Sequence, residues 1–93
     1  MLSVIIHCFN ELRTIRTIVR KVMDSSYNEI EIIVVDDGST DGTTNVLKSE
    51  IEQLVTKVIY HDRNMGKGMA VRSAIKHING EITIIQEIGR AHV

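Results

Sequence analysis

Two adjacent carboxylates and a glycine, Asp36-Asp37-Gly38, follow directly on the apolar, β-branched run Ile30-Glu31-Ile32-Ile33-Val34-Val35. Such a run reads as a buried strand, so the acidic pair is delivered to that strand's carboxyl end. A carboxylate placed there can accept hydrogen bonds from a nucleobase N–H or a ribose hydroxyl, as the acidic residue of a dinucleotide fold holds a ribose. The segment Asp36-Asp37-Gly38-Ser39-Thr40-Asp41-Gly42-Thr43 also reads as a turn at Asp37-Gly38 with Ser39 or Thr40 capping the next helix. That plainer reading gives no reason for two carboxylates side by side, whose charges repel.

Two further segments stand in the same relation to apolar runs. His7-Cys8-Phe9-Asn10-Glu11 follows Ser3-Val4-Ile5-Ile6. Asn10 there is expected to cap a helix starting at Glu11, whose charge suits a helix N-terminus. Phe9, the only Phe in the chain, is placed either to pack on a base or to fill core. His7 and Cys8 have no His or Cys partner at metal-ligand spacing. The third segment, Arg63-Asn64-Met65-Gly66-Lys67-Gly68-Met69-Ala70, lacks the spacing of a triphosphate-binding P-loop. Its glycines and Lys67 at a helix N-terminus suit a diphosphate, and they equally suit close packing of helix on sheet.

Four strands must position these segments: the two strong runs above and weaker ones at Lys57-Val58-Ile59-Tyr60 and Glu81-Ile82-Thr83-Ile84-Ile85. Near-continuous apolar runs indicate strands covered on both faces. Between them lie three stripes of helical period: Ile15, Ile18, Val19 and Val22; Leu47, Ile51, Leu54 and Val55; and Ala70, Val71, Ala74, Ile75 and Ile78. The order βαβαβαβ specifies an α/β fold, a Rossmann-like parallel sheet with helices on both faces. Ligands of such sheets bind beyond the carboxyl ends of the strands, where all three segments lie.

The bulk properties fit one small globular domain of 93 residues, 43% hydrophobic and 25% charged. Eleven Lys and Arg against twelve Asp and Glu leave no basic surface for nucleic acid or an anionic membrane. The single cysteine excludes an internal disulfide, and no apolar stretch approaches the roughly 20 residues of a bilayer span. Cytoplasmic location without membrane contact by this segment is the expectation.

Three motifs in order, Ser3-Val4-Ile5-Ile6-x-x-Phe9-Asn10-Glu11, then Ile33-Val34-Val35-Asp36-Asp37-Gly38-Ser39-Thr40-Asp41-Gly42-Thr43, then Asn64-x-Gly66-Lys67-Gly68-x-Ala70, resemble the family 2 glycosyltransferases of GT-A fold. The likeness covers residues 2 to about 87 and is tightest to the dolichyl- or polyprenyl-phosphate mannosyl and glucosyl transferases. It implies the nucleotide-binding half of a GT-A fold and transfer of a sugar from a GDP- or UDP-sugar to a lipid phosphate, with inversion and with Mg2+ or Mn2+. It also implies that His7, Phe9 and Glu11 line the nucleotide and that Val35 and Asp37 lie against base and ribose. His7 stands where the family usually has proline, and Leu12 and Met69 are milder departures.

The largest departure is at the end of strand four. The family reads Gln-Asp-Ala-Asp there, its two aspartates holding the metal and the diphosphate, whereas this chain has Gln86-Glu87-Ile88-Gly89. The Asp-x-Asp positions fall at Glu87 and Gly89, so tight metal binding is not expected, and the chain is expected to be an inactive N-terminal part, residues 1–87, of a longer transferase. Residues 88–93, Ile-Gly-Arg-Ala-His-Val, are expected to be a non-native tail. The string ATC-GGA-AGA-GCA-CAC-GTC of a common sequencing adapter encodes them, and the codons of the gene test that. Two other functions are open to the same residues: a stand-alone nucleotide-binding module, and a phosphoacceptor receiver domain. A receiver would need its acidic pair after strand one and an aspartate after strand three, where His61 and Asp62 stand.

Overall fold

Strand β1 (Leu2–Cys8) and strand β2 (Ile30–Asp37) are buried along nearly their whole length, as runs rich in Ile and Val on a doubly covered sheet must be. They pair in parallel with Ile5 opposite Ile33 and His7 opposite Val35. Strand β3 (Lys57–His61) adds to the far side of β2, and β4 (Ile82–Glu87) to the far side of β1, giving the all-parallel order β3-β2-β1-β4. The computed structural model describes residues 1–25 and 29–80, and the backbone of 82–87. Glu81 and the expected tail of residues 88–93 lie outside the described residues, as does Gly89.

Side-chain alternation sorts the core into two layers. Val4, Ile6 and Cys8 of β1 and Ile32 and Val34 of β2 face helix α1 (Ile15–Met23) and helix α2 (Thr43–Val46), meeting Ile15, Val19, Val46, Leu47 and Ile51. Ile5, Ile33 and Val35 face the other way, onto Ala70 and Ala74 of helix α3 (Lys67–Ile75). The chain steps outward from β1 to β2 to β3 with α1 and α2 on one face, then crosses back over the other face through α3 to reach β4. The direction of strand succession therefore reverses between β1 and β4, which is where open α/β sheets form their ligand crevice.

The observed elements depart from expectation in three places. All four strands run on beyond their apolar runs, so that His7, Cys8, Asp36, Asp37, His61, Gln86 and Glu87 are strand residues rather than loop residues. The first helix begins at Ile15 rather than Glu11; Glu11 lies one turn earlier, its carbonyl accepting from the N–H groups of Thr14 and Ile15 at 3.0 and 2.9 Å. The second helix widens after α2 into a π turn over Leu47–Ile51, marked by the bond from Glu52 N to Leu47 O of 2.8 Å. Among the described residues no helix is long and apolar enough to cross a membrane.

Candidate functional site

Alternation along β2 separates the acidic pair: Asp36 follows Ile32 and Val34 onto the α1/α2 face, and Asp37 follows Ile33 and Val35 onto the α3 face. The expected repulsion is thereby relieved, since each carboxylate has its own donors. Asp36 accepts from the backbone N–H of Ser39 at 3.1 Å and from the Thr44 hydroxyl. Asp37 has no exposed surface and accepts four bonds. Its Oδ1 receives His61 Nδ1 at 2.9 Å and Met65 N at 2.8 Å, and its Oδ2 receives His7 Nε2 at 2.8 Å and Gly66 N at 2.9 Å. Burial alone would raise the carboxyl pKa, but the bonds from His61, His7, Met65 and Gly66 outweigh it and bring it from its ordinary 3.8 to about 2.

An ionised carboxylate only accepts, so both imidazoles must present N–H to Asp37. For His61 this places the proton on Nδ1 and leaves Nε2 to accept from the Ser73 hydroxyl, 2.8 Å away on α3. Ser73, His61 and Asp37 thus form a chain of the same atom order as a hydrolytic triad, but Ser73 lies within a helix whose N–H groups are engaged in helical bonding rather than turned toward a reacting oxygen. The chain works as a brace between β2, β3 and α3. Cys8, buried at the end of β1, has its thiol pKa raised by burial and then by the charge of Asp36.

The loops after β1 and β2 are sewn together above this brace. Asn10 adopts φ of 53° and does not cap a helix; its N–H donates to Ser39 Oγ at 2.9 Å and its Oδ1 accepts from Thr40 N at 2.7 Å. Glu11 N donates to Thr43 Oγ1 at 2.9 Å, and Leu12 N to Asp41 Oδ2 at 3.2 Å. Neither Ser39 nor Thr40 caps α2: Gly42, at φ of 103°, is its N-cap residue, and Asp41 before it accepts from Thr43 N at 3.0 Å. Gly38 makes the third loop possible: at φ of 79°, a Cβ there would stand 2.3 Å from the carbonyl carbon of Arg63. Only a residue without a side chain lets the Arg63-Asn64 backbone lie close enough for Met65 and Gly66 to reach Asp37.

The residues singled out from the sequence fall unevenly around this edge. His7 and Asp37 are bonded to each other. Phe9 stands 38% exposed on the β1–α1 loop, and Glu11 is half-buried beside it, accepting from the Thr14 hydroxyl at 3.1 Å. Lys67 opens α3 and is exposed. Val35 has its side chain wholly in the core against α3 and offers a ligand no side-chain surface. Of the two N–H groups just before α3, both point into Asp37 rather than outward. Gly68 has open space at its Cβ position and needs no positive φ, so close packing of helix on sheet does not explain it. His61 and Ser73 were not singled out from sequence. The signal was the ending of β2 and β3 in Asp37 and His61, which the parallel register sets opposite each other.

Among the described residues no three His, Cys, Asp or Glu side chains are grouped to hold a metal ion. The donor set at the expected position, one carboxylate at Glu87 and none at Gly89, does not fit a divalent cation held by two carboxylates.

The sequence profile described as Glycosyl transferase family 2 matches residues 3–86. The chain belongs to that family. Family 2 relatives include the undecaprenyl-phosphate 4-deoxy-4-formamido-L-arabinose transferase of Edwardsiella ictaluri, 29% identical over 87 residues, covering 88% of this chain and 27% of that protein. The poly-beta-1,6-N-acetyl-D-glucosamine synthase of Staphylococcus epidermidis is 30% identical over 80 residues, covering 86% of this chain and 19% of that one. In structure, the family 2 domain superposes on a mannosyltransferase of Pyrobaculum calidifontis in complex with GDP-Man and Mn2+, with a TM-score of 0.83 at 27% identity over 92% of this chain and 26% of the other. It also superposes on S. aureus TarS in complex with UDP-GlcNAc, with a TM-score of 0.78 at 25% identity, covering 92% of this chain and 26% of TarS. The chain thus spans about a quarter of the length of these relatives.

Proposed function

We propose that this chain is the donor-recognising part of a glycosyltransferase that uses a nucleoside-diphosphate sugar, with a polyprenyl or dolichyl phosphate as the acceptor of the longer protein. The observation that carries the reading is the reversal of strand order at β1/β4, which brings the ends of β1, β2 and β4 and the β3–α3 loop to one sheet edge, the edge at which open α/β sheets bind ligands. Phe9 supplies an aromatic face and Glu11 an acceptor, and Asp37, buried and bonded to His7, is an acceptor for base or ribose where one of its internal donors gives way. Lys67 and the open backbone at Gly68 suit the diphosphate. Relatives whose names carry GDP-Man, UDP-GlcNAc and undecaprenyl phosphate support donor and acceptor classes of this kind. A receiver domain is disfavoured, because the acidic pair is divided between the two faces of the sheet and both members are buried.

In the family a divalent cation stabilises the leaving diphosphate, and Glu87 and Gly89 do not supply its ligands. What these residues do is bind and orient the nucleotide, and glycosyl transfer by this 93-residue chain is not expected. Titration with GDP-Man and UDP-GlcNAc, followed by backbone amide shifts, tests the reading. Saturable shifts should gather at Phe9, Glu11, Gly38, Lys67 and Gly68. Shifts confined to the groove that Arg16, Val19 and Arg20 of α1 form with Glu50 and Ile51, or none with either ligand, would sink it.

A further inference from the structure

Every acceptor position of Asp37 is already filled from within the chain. A carboxylate offers about four lone-pair sites, and His61, Met65, His7 and Gly66 occupy four. A base N–H or ribose O–H can therefore bond to Asp37 only if one of these donors leaves.

The four differ in how firmly they are held. The N–H groups of Met65 and Gly66 are backbone, fixed by the close passage of Arg63 and Asn64 over Gly38. His61 is 8% exposed and bonded at both ring nitrogens, to Asp37 and to Ser73. His7 is 15% exposed and, among the described residues, bonded only through Nε2. It is also the one donor standing at the β1/β4 reversal, opposite Glu87 in register.

We infer that the His7 imidazole is an internal latch on the nucleotide site: it holds Asp37 Oδ2 in the empty chain and swings away when a nucleotide's own N–H or O–H takes its place. The inference rests on the nucleotide reading above and goes beyond it by assigning His7 a positioning role rather than a ligand contact. Opening the latch breaks a hydrogen bond to a charged group, and the fraction of molecules with the latch open scales the apparent affinity directly. The imidazole remains free to return when the ligand leaves, so the latch sets affinity without closing the site.

The test is titration of the 93-residue chain with GDP and with UDP, alongside His7→Ala and His7→Gln. His7→Ala should bind the preferred nucleotide roughly tenfold more tightly than the unmodified chain. His7→Gln, which keeps an N–H donor, should return affinity toward the unmodified value. In the unmodified chain, saturating nucleotide should shift the imidazole nitrogen signals of His7 while those of His61 stay in place. Binding that leaves the His7 signals unmoved, or that is equal or weaker in His7→Ala, overturns the latch and leaves the nucleotide reading standing. Absence of binding in all three chains removes both. The imidazole signals of the unmodified chain decide the matter should His7→Ala fail to fold.

Discussion

A carboxylate with four donors and no exposed surface is first of all a structural group, and Asp37 should show it when removed. Asp37→Ala leaves two backbone N–H groups and two imidazoles without their acceptor in a closed space, a loss expected to be about 3 kcal/mol or more. Asp41→Ala removes an exposed carboxylate that accepts from Leu12 N and Thr43 N and should cost about 1 kcal/mol. Urea unfolding of the two variants checks the order, and equal losses would show that the four-donor site is not intact in solution. Acid should find the same group. Its pKa is about 2 in the folded chain against an ordinary 3.8, so protons bind the unfolded chain more readily. The stabilisation, on the order of 2 kcal/mol, is complete above the higher value and is lost as pH falls toward the lower. Asp37→Asn should flatten that part of the pH–stability curve, whereas an unchanged acid limb would assign the loss to other carboxylates. The sequence places Asp37 at the carboxyl end of β2 but gives no sign that it is sealed, because its two histidine donors come from different strands, 30 and 24 residues away.

At the scale of elements, the hydrophobic pattern marks the four strands, α1, α3 and the π turn, and it gives out at α2, which ends at Val46 before the second stripe begins at Leu47. The ends of β2, β3 and β4 lie beyond the pattern because Asp36, Asp37, His61, Gln86 and Glu87 are polar and extend the ladder by backbone pairing, and in β1 the polar His7 interrupts the run before the buried Cys8. The second helix was read with a period of 3.6, which places Leu54 on the stripe with Leu47 and Ile51. The π turn adds a residue to that turn, leaving Leu47 and Ile51 buried while Leu54 stands exposed and Val55 packs against the core. Glycines were the least legible, since identical residues serve opposite needs. Gly38→Ala should drive the β3–α3 loop away from Asp37 and destabilise the chain severely, through both the positive φ and the clash with Arg63. Gly68→Ala meets open space in a helical position and should leave stability unchanged or raise it by up to about 1 kcal/mol. If Gly68 is there for a diphosphate, the same variant should weaken nucleotide binding. Thermal melts together with nucleotide titration separate the two effects. Loss of stability in Gly68→Ala would mean that helix packing, not a ligand, requires the glycine.

Among the described residues the sheet has two edges, β3 and β4, and they are not alike. Half-buried β3 residues Tyr60 and His61 are tied back into the chain, Tyr60 to Glu52 at 2.5 Å and His61 to Asp37 and Ser73. Strand β4 pairs with β1 on one side and ends the sheet on the other, with the run Ile82-Thr83-Ile84-Ile85 of high β-propensity and no proline. A strand of that composition at a sheet edge offers unpaired N–H and C=O groups to a second chain. The two core layers are unequal as well: α1, α2 and the π turn after it cover one face with large aliphatic side chains, whereas α3 covers the other with Ala70 and Ala74. A thin layer beside an open edge should leave β4 the easiest strand to detach. The isolated chain is therefore expected to self-associate at roughly micromolar to millimolar concentration, and its β4 amides to exchange hydrogen faster than those of β1 and β2. Thr83→Lys, placing a charge in the edge strand, should shift the population toward monomer without changing the exchange of β1 and β2. Sedimentation and amide exchange measured on the same samples give both answers. A chain that stays monomeric throughout that range, with β4 as protected as β1, would show the edge to be closed by the fold itself.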